Sequence, residues 1–375
     1  MSQTNKDRPA ADTAGALAGW LAGRMEGASG IRIDELSTPS ANGFSNITML
    51  FEAAWRSRGT ERRRKFVARV EPTGEGLFPS YDVSRQFDVM RALESSAVPV
   101  PKVLWMERDP AIFGAPFMVM EYIGGNIPSD DPSFAASGWV LSLDPRQRRK
   151  MLENALAALV KVHAVDWRAR GLEWLRRPGE GSSVERELAY YEHFYRWAAK
   201  DLNVPAIEAG LAWAKARIPE RDDLVLSWGD SRIGNMIFGD DLAVRAVIDW
   251  EGATLASREK DLGHWLQLTR VFTEEFGLEL PQGFPDRTAL LWRYEQLSRR
   301  RLNDVHFYEV MSGIHSSIQV VRAMSMMAAA SGGDRNDAAI LNNPFTRGLA
   351  KLIGFEMQGV DGLDVFTGKA ARQDS

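Results

Sequence analysis

The chain changes its apolar rhythm once, and that change bounds what it can fold into. Before Gly124-Gly125, apolar residues gather in short runs at residues 31–36, 47–54, 65–70, 102–107 and 116–122. Runs of that length, punctuated by Gly, Pro and Asn, predict strands. The Asn42-Gly43 step between the first two is a hairpin signal, because both positions of the favoured tight turn need positive φ. One segment there, residues 81–93, instead spaces Val83, Phe87, Met90 and Leu93 along a single helical face. A helix through Leu17, Leu21 and Met25, capped by Asp12 or Thr13, precedes the strands.

Beyond Gly125 the helical period takes over. Helices are expected at 145–165, 184–200, 207–217, 288–302, 303–330 and 337–357, interrupted by one strand-and-hairpin island at 225–249. The Met/Ala-rich stretch near Met324, Met326 and Met327 suits a buried helix. The expected architecture is therefore α+β with two lobes: residues 1–124 β-rich, with an N-terminal helical extension, and residues 125–375 mostly helical.

Composition narrows the function classes. Of 375 residues, 45% are hydrophobic and 26% charged, enough to build two cores. The net charge of -4 gives no reason to expect a nucleic-acid partner, and the basic run Arg62–Lys65 reads as a solvated strand or turn. Without cysteine there is no disulfide, thiolate metal site or thiol nucleophile. No apolar run approaches the ~20 residues that span a bilayer, and the first residues lack the order of a signal peptide. A cytoplasmic protein with no membrane partner is the expectation.

The segment that carries chemistry runs from Leu226 to Gly252, LSWGDSRIGNMIFGDDLAVRAVIDWEG. Asp230 and Asn235 are five apart, the spacing of a base and a metal-binding amide in a phosphoryl-transfer loop. Two apolar runs around Gly239-Asp240-Asp241 predict a hairpin that returns the chain, so that Asp249 emerges beside Asn235. A triphosphate needs its charge neutralised by a hard cation such as Mg2+, for which Asn235 and Asp249 offer oxygen ligands. Asp230 would orient a hydroxyl and take its proton. The plain alternative is an Asp-capped turn before an ordinary hairpin.

This segment resembles the catalytic signature of the aminoglycoside phosphotransferase family, H-G-D-x-x-x-x-N followed by a hairpin and D-W or D-F. The resemblance extends from about Leu36 to Leu266. It implies a protein-kinase-like fold, ATP with Mg2+, and a small hydroxylated acceptor. It implies further that Asn42, Gly43, Phe44 and Ser45 cover the nucleotide phosphates, and that Arg69 stands where a lysine is usual. Gln86 takes the place of that cation's usual glutamate partner, able to accept from Arg69 or else to face solvent. In FMVMEYIGG, the main chain of Glu121 and Ile123 would meet the adenine edge, with Met120 behind it. Trp228 replaces the family's His and fills its space. His163 reads as a core residue, Asp261 as a carboxylate bracing a loop, and Glu251 as a salt-bridge partner.

Two other readings stay open. The departures at Arg69, Gln86 and Trp228 allow a non-catalytic, ATP-binding pseudokinase. The acceptor is either an aminoglycoside, which would call for an acidic pocket drawing on Glu185, Glu187, Glu192, Glu274 and Glu275, or a less charged hydroxyacyl metabolite. A protein kinase is disfavoured, since no A-P-E element follows Asp249.

Overall fold

The β-rich stretch folds as its apolar runs require. The computed structural model describes residues 10–38, 46–331 and 336–357. It divides into two units, one reaching Glu94 and resuming over Val100–Gly124, the other formed by Ser95–Pro99 and the chain from Gly125 onward.

In the first unit, α1 (Ala10–Ala22) is followed by β1 (Ser29–Ser37), β2 (Ile47–Ser57), β3 (Thr60–Val70), α2 (Val83–Leu93), β4 (Val103–Glu107) and β5 (Phe117–Glu121). The strands form one antiparallel sheet in the order β1-β2-β3-β5-β4. Leu17 and Leu21 of α1 are fully buried in a cluster with Phe51, Phe66 and Phe117, so the helix covers the apolar side of the sheet. Its polar margin is tied down as well, for Trp20 Nε1 and Arg24 Nη2 each donate to Glu107 Oε2 at 2.6 Å. The helix begins before Asp12, so neither Asp12 nor Thr13 is its cap. The turn expected at Asn42-Gly43 lies outside the described residues.

The basic run sits on the exposed half of β3, as its charge density demands. Arg63 lies 2.9 Å from Asp34, Lys65 is 3.9 Å from Glu35, and Arg64 pairs with Glu121. Exposed pairs like these contribute roughly 0–1 kcal/mol each and serve solubility more than stability.

The second unit holds α3 (Trp139–Ser142), α4 (Pro145–His163), α5 (Ser183–Ala199) and α6 (Pro205–Lys215) before the island. The island comprises β6 (Leu224–Ser227), β7 (Met236–Phe238), β8 (Val244–Val247) and β9 (Thr254–Ser257). Then come α7 (Arg258–Phe272), α8 (Arg287–Ser298), α9 (Val305–Ser331), α10 (Asp337–Leu341) and α11 (Pro344–Ile353). Strands pair as two small antiparallel ladders, β6 with β9 and β7 with β8. Helix starts follow their capping chemistry: Asp144 with Gln147 opens α4, and Ser182 with Glu185 opens α5.

Two expectations fail here. The helix expected at 337–357 is two helices, because Asn343 caps the second through the N–H groups of Phe345 and Thr346, and Pro344 cannot continue the first. The Met-rich stretch is not buried: Met327 is 61% exposed. At 27 residues α9 is roughly 40 Å long, and its last two turns are half-exposed or exposed.

Helices α7 and α9 cross unusually closely at Gly263. A Cβ placed there would lie 2.4 Å from the carbonyl carbon of Tyr308 and 2.6 Å from the nitrogen of Glu309. Only glycine permits that approach.

Candidate active site

The β7–β8 hairpin does what its apolar runs predict. Met236 pairs with Val247, and one step outward the N–H of Ile248 donates to the Asn235 carbonyl at 3.0 Å. Asn235 and Asp249 thus leave neighbouring strands at the same end of the hairpin. Asn235 closes a short 3-10 turn, Ile233–Asn235, and its Nδ2 donates to Asp230 Oδ2 at 2.6 Å and to the Asp230 carbonyl at 3.1 Å. With Nδ2 so committed, Oδ1 is the atom Asn235 can offer a hard cation. Asp249 adopts φ 61°, a left-handed conformation uncommon for a non-glycine residue. Such backbone strain is typical of residues held for a function.

Two further groups meet Asp230 that the signature did not reveal. Arg232 donates from Nε to Asp230 Oδ1 at 3.0 Å, while its Nη1 pairs with Asp130. Burial lowers the pKa of this guanidinium, against the opposing pull of the Asp249 and Glu251 charges. His264 on α7 places Nε2 2.9 Å from the same Oδ1. The signal for Arg232 was its place two residues after Asp230; His264 could only be seen as part of DLGHW, with no hint of its partner.

The loop holding Asp230 is braced from beneath by Asp261. This carboxylate is fully buried and accepts from the N–H of Trp228 at 2.8 Å, the N–H of Gly229 at 2.9 Å and the hydroxyl of Ser227 at 3.0 Å. Its carbonyl accepts from Ser231 Oγ at 2.6 Å. His163 Nε2 lies 2.9 Å away, and the other ring nitrogen is 2.6 Å from the Tyr294 hydroxyl. Burial alone would raise the Asp261 pKa; His163, with the Lys260 charge and the Gly229 N–H, outweighs it and holds the group below its ordinary value.

Trp228 does more than fill space. Fully buried, it donates from Nε1 to the carbonyls of Ile248 at 2.9 Å and Asp249 at 3.1 Å, linking the loop directly to the hairpin's far end. Gly229, at φ 92°, touches Gly252 so closely that a Cβ would sit 2.0 Å from its carbonyl oxygen.

In the first unit, Arg69 faces Thr48 across the β2–β3 ladder and donates to its hydroxyl at 2.9 Å. Gln86 is 2% exposed on α2, so it is a buried residue and not a solvent-facing one. Met120 is buried near the end of β5. The Glu121 N–H donates to the Lys102 carbonyl at 2.9 Å. Ile123 follows the strand end, half-buried. Asn42, Gly43, Phe44 and Ser45 lie outside the described residues.

Among solved structures, the chain is similar to a candidate aminoglycoside phosphotransferase of Ralstonia eutropha, with a TM-score of 0.64 and 22% identity over 91% of this chain and 98% of that one. It is also similar to a thermostable variant of the phosphotransferase APH(4)-Ia in ternary complex with ADP and hygromycin B (TM-score 0.54, 13% identity, 90% and 98% covered). These likenesses establish the protein-kinase-like fold. Curated relatives carry a different kind of name. The mouse acyl-CoA dehydrogenase family member 10 is 33% identical over 54% of this chain, and a candidate acyl-CoA dehydrogenase of Arabidopsis thaliana, IBR3, is 32% identical over 68%. The chain spans only 18% and 31% of those proteins' lengths. Residues 43–297 match the family described as the phosphotransferase enzyme family. With two thirds of its length inside that match, bracketing the loop and hairpin just described, the chain belongs to the phosphotransferase enzyme family.

Proposed function

We propose that this protein is an ATP- and Mg2+-dependent kinase that phosphorylates a hydroxyl of a small acyl compound. The observation that carries the reading is the convergence of Asp230, Asn235 and Asp249 at one end of the β7–β8 hairpin. Asp230 accepts the proton of the acceptor hydroxyl as its oxygen attacks the γ-phosphorus, and the bond to the β-phosphate oxygen breaks to release ADP. Asn235 and Asp249 would hold Mg2+, which supplies charge neutralisation for the triphosphate; two hard oxygen donors suit an ion that keeps its other positions for phosphates and water. Arg69, Gln86, Met120, Glu121 and Ile123 serve the nucleotide, together with Asn42, Gly43, Phe44 and Ser45. The ADP bound by the APH(4)-Ia variant supports a nucleotide in this role.

Charge bookkeeping within the second unit argues against a polycationic acceptor. Four of the five glutamates that an acidic pocket would draw on are already engaged, and the fifth, Glu274, stands at the edge of reach of a cation. Glu185 caps α5 at Ser182 (2.7 Å), Glu192 pairs with Lys215, and Glu274 lies 4.0 Å from Arg270. Glu187 is held by Arg177 at 2.8 Å and by Lys260 at 3.7 Å, and Glu275 by Lys351 at 2.7 Å. A hydroxyacyl acceptor, uncharged or anionic, needs no such pocket. The acyl-CoA dehydrogenase names of far longer relatives point the same way, since regions joined in one chain commonly handle one class of compound.

The test is incubation with Mg2+-ATP and a panel of aminoglycosides, hydroxyacyl compounds, amino alcohols and nucleosides, read by mass spectrometry beside Asp230→Asn. Phosphoryl addition to hydroxyacyl compounds, lost in the variant, is expected. Addition only to aminoglycosides would overturn the acceptor class. Nucleotide binding indifferent to Mg2+ and to Asp249→Ala, with no product, would favour the pseudokinase.

A further inference from the structure

His264 lies outside the catalytic signature, yet it joins Asp230 to a different part of the fold. Its Nε2 is 2.9 Å from Asp230 Oδ1 and its Nδ1 is 2.9 Å from the Ser312 hydroxyl on α9. An ionised carboxylate oxygen only accepts, so Nε2 carries the hydrogen. In the neutral ring Nδ1 then has only a lone pair, and the Ser312 hydroxyl is the donor that meets it. Asp230 thereby sets the tautomer, and the Ser312 hydroxyl, free to rotate into the donor role, anchors the far side of the ring.

Three donors fix the Asp230 carboxylate: Nε of Arg232 and Nε2 of His264 on Oδ1, and Nδ2 of Asn235 on Oδ2. Two of them travel with the loop that carries Asp230. His264 alone comes from a long helix, 6% exposed, with its far nitrogen anchored on a second long helix. The glycine crossing one residue earlier lets those helices approach closely enough for that anchor. A side chain locked at both ends on rigid elements is what holds a reacting group to within a fraction of an ångström.

We propose that His264, anchored by Ser312, is a positioning residue for phosphoryl transfer, holding the Asp230 carboxylate in the plane that presents Oδ2 to the acceptor. The proposal rests on Asp230 being the base. Its test combines kinetics on the phosphorylated panel compound with 15N-histidine NMR of the whole protein.

His264→Phe is expected to lower kcat about 100-fold, the scale of a roughly 1 Å misplacement, with KM for ATP unchanged. His264→Gln, whose amide nitrogen can stand in for Nε2, should recover most of that loss, and Ser312→Ala should cost less than His264→Phe. NMR should show the His264 ring with its hydrogen on Nε2, and its resonances should move in Asp230→Asn.

Equal loss in the Phe and Gln variants, or loss that tracks melting temperature alone, would overturn positioning in favour of packing. So would a hydrogen on Nδ1 in place of Nε2. Full turnover in Asp230→Asn would overturn the base assignment and this proposal together. Loss there, with full turnover in His264→Phe, would overturn this proposal alone.

Discussion

Helix α7 supports two aspartate–histidine pairs three residues apart, and they have been put to opposite uses. At Asp261, histidine comes to the helix: His163 approaches from α4, with Tyr294 behind it. At His264, the helix supplies the histidine and the loop supplies the aspartate. Asp261 is sealed from solvent and surrounded by donors, whereas the Asp230 side chain is 26% exposed. The same two chemical groups, at nearly the same separation, give a fixed strut in one case and an accessible carboxylate in the other. Solvent access and remaining acceptor capacity separate the two roles, and residue type does not.

The sharpest way to break that comparison is the same exchange at both sites. Asp230→Asn should cut phosphoryl transfer by about 100- to 10,000-fold while unfolding free energy moves by less than ~1 kcal/mol. Asp261→Asn should do the reverse in kind, removing about 3–5 kcal/mol from a buried, paired charge, as read by urea unfolding. Matching stability losses at the two sites would erase the distinction.

Next in size is Gly229→Ala, where positive φ and contact with Gly252 combine. A cost of at least about 1–3 kcal/mol is expected from backbone strain, with turnover falling alongside it; unchanged melting would show that the loop has room to shift.

A third carboxylate, Glu187, tests whether burial with cations resembles the Asp261 case. Burial acts to raise its pKa, but the Arg177 and Lys260 charges win and depress it from 4.5 to about 2. Its contribution to stability is therefore complete above pH 4.5 and disappears as pH falls toward 2. Across that window Glu187→Gln should flatten the decline seen in the parent protein, and parallel curves would count against the pairing. The smallest effect belongs to Trp228→Phe, which keeps the bulk and removes the two bonds from Nε1. About 0.5–1.5 kcal/mol is expected, together with weaker Mg2+ dependence of turnover.

Which parts of this were legible beforehand follows chain distance. Asp230, Asn235 and Asp249 fall within one short window, and a hairpin between them is a local feature that apolar alternation reports directly. The strand-then-helix division was equally visible, since it depends only on periodicity. His163 and Tyr294 are 131 residues apart, and His264 lies 48 from Ser312. No local pattern can pair such residues; the packing of α4 on α8 brings the first two together, and the crossing of α7 with α9 the second two. The break at Asn343-Pro344 was a different kind of miss, because the cap and the proline stood in plain view within an apolar pattern that runs through both helices.

The contact between Gly229 and Gly252 sets the loop that carries Asp230 and the chain just past Asp249 backbone against backbone, so that neither can shift without the other. Gly229 has no space for a side chain, and a Cβ at Gly252 would crowd the Gly229 backbone at 3.2 Å, so few substitutions would be tolerated at this contact. Change would come more readily through elements that meet the loop from outside, such as α9, whose Ser312 reaches Asp230 through His264. Related chains would then vary more around that loop than within it.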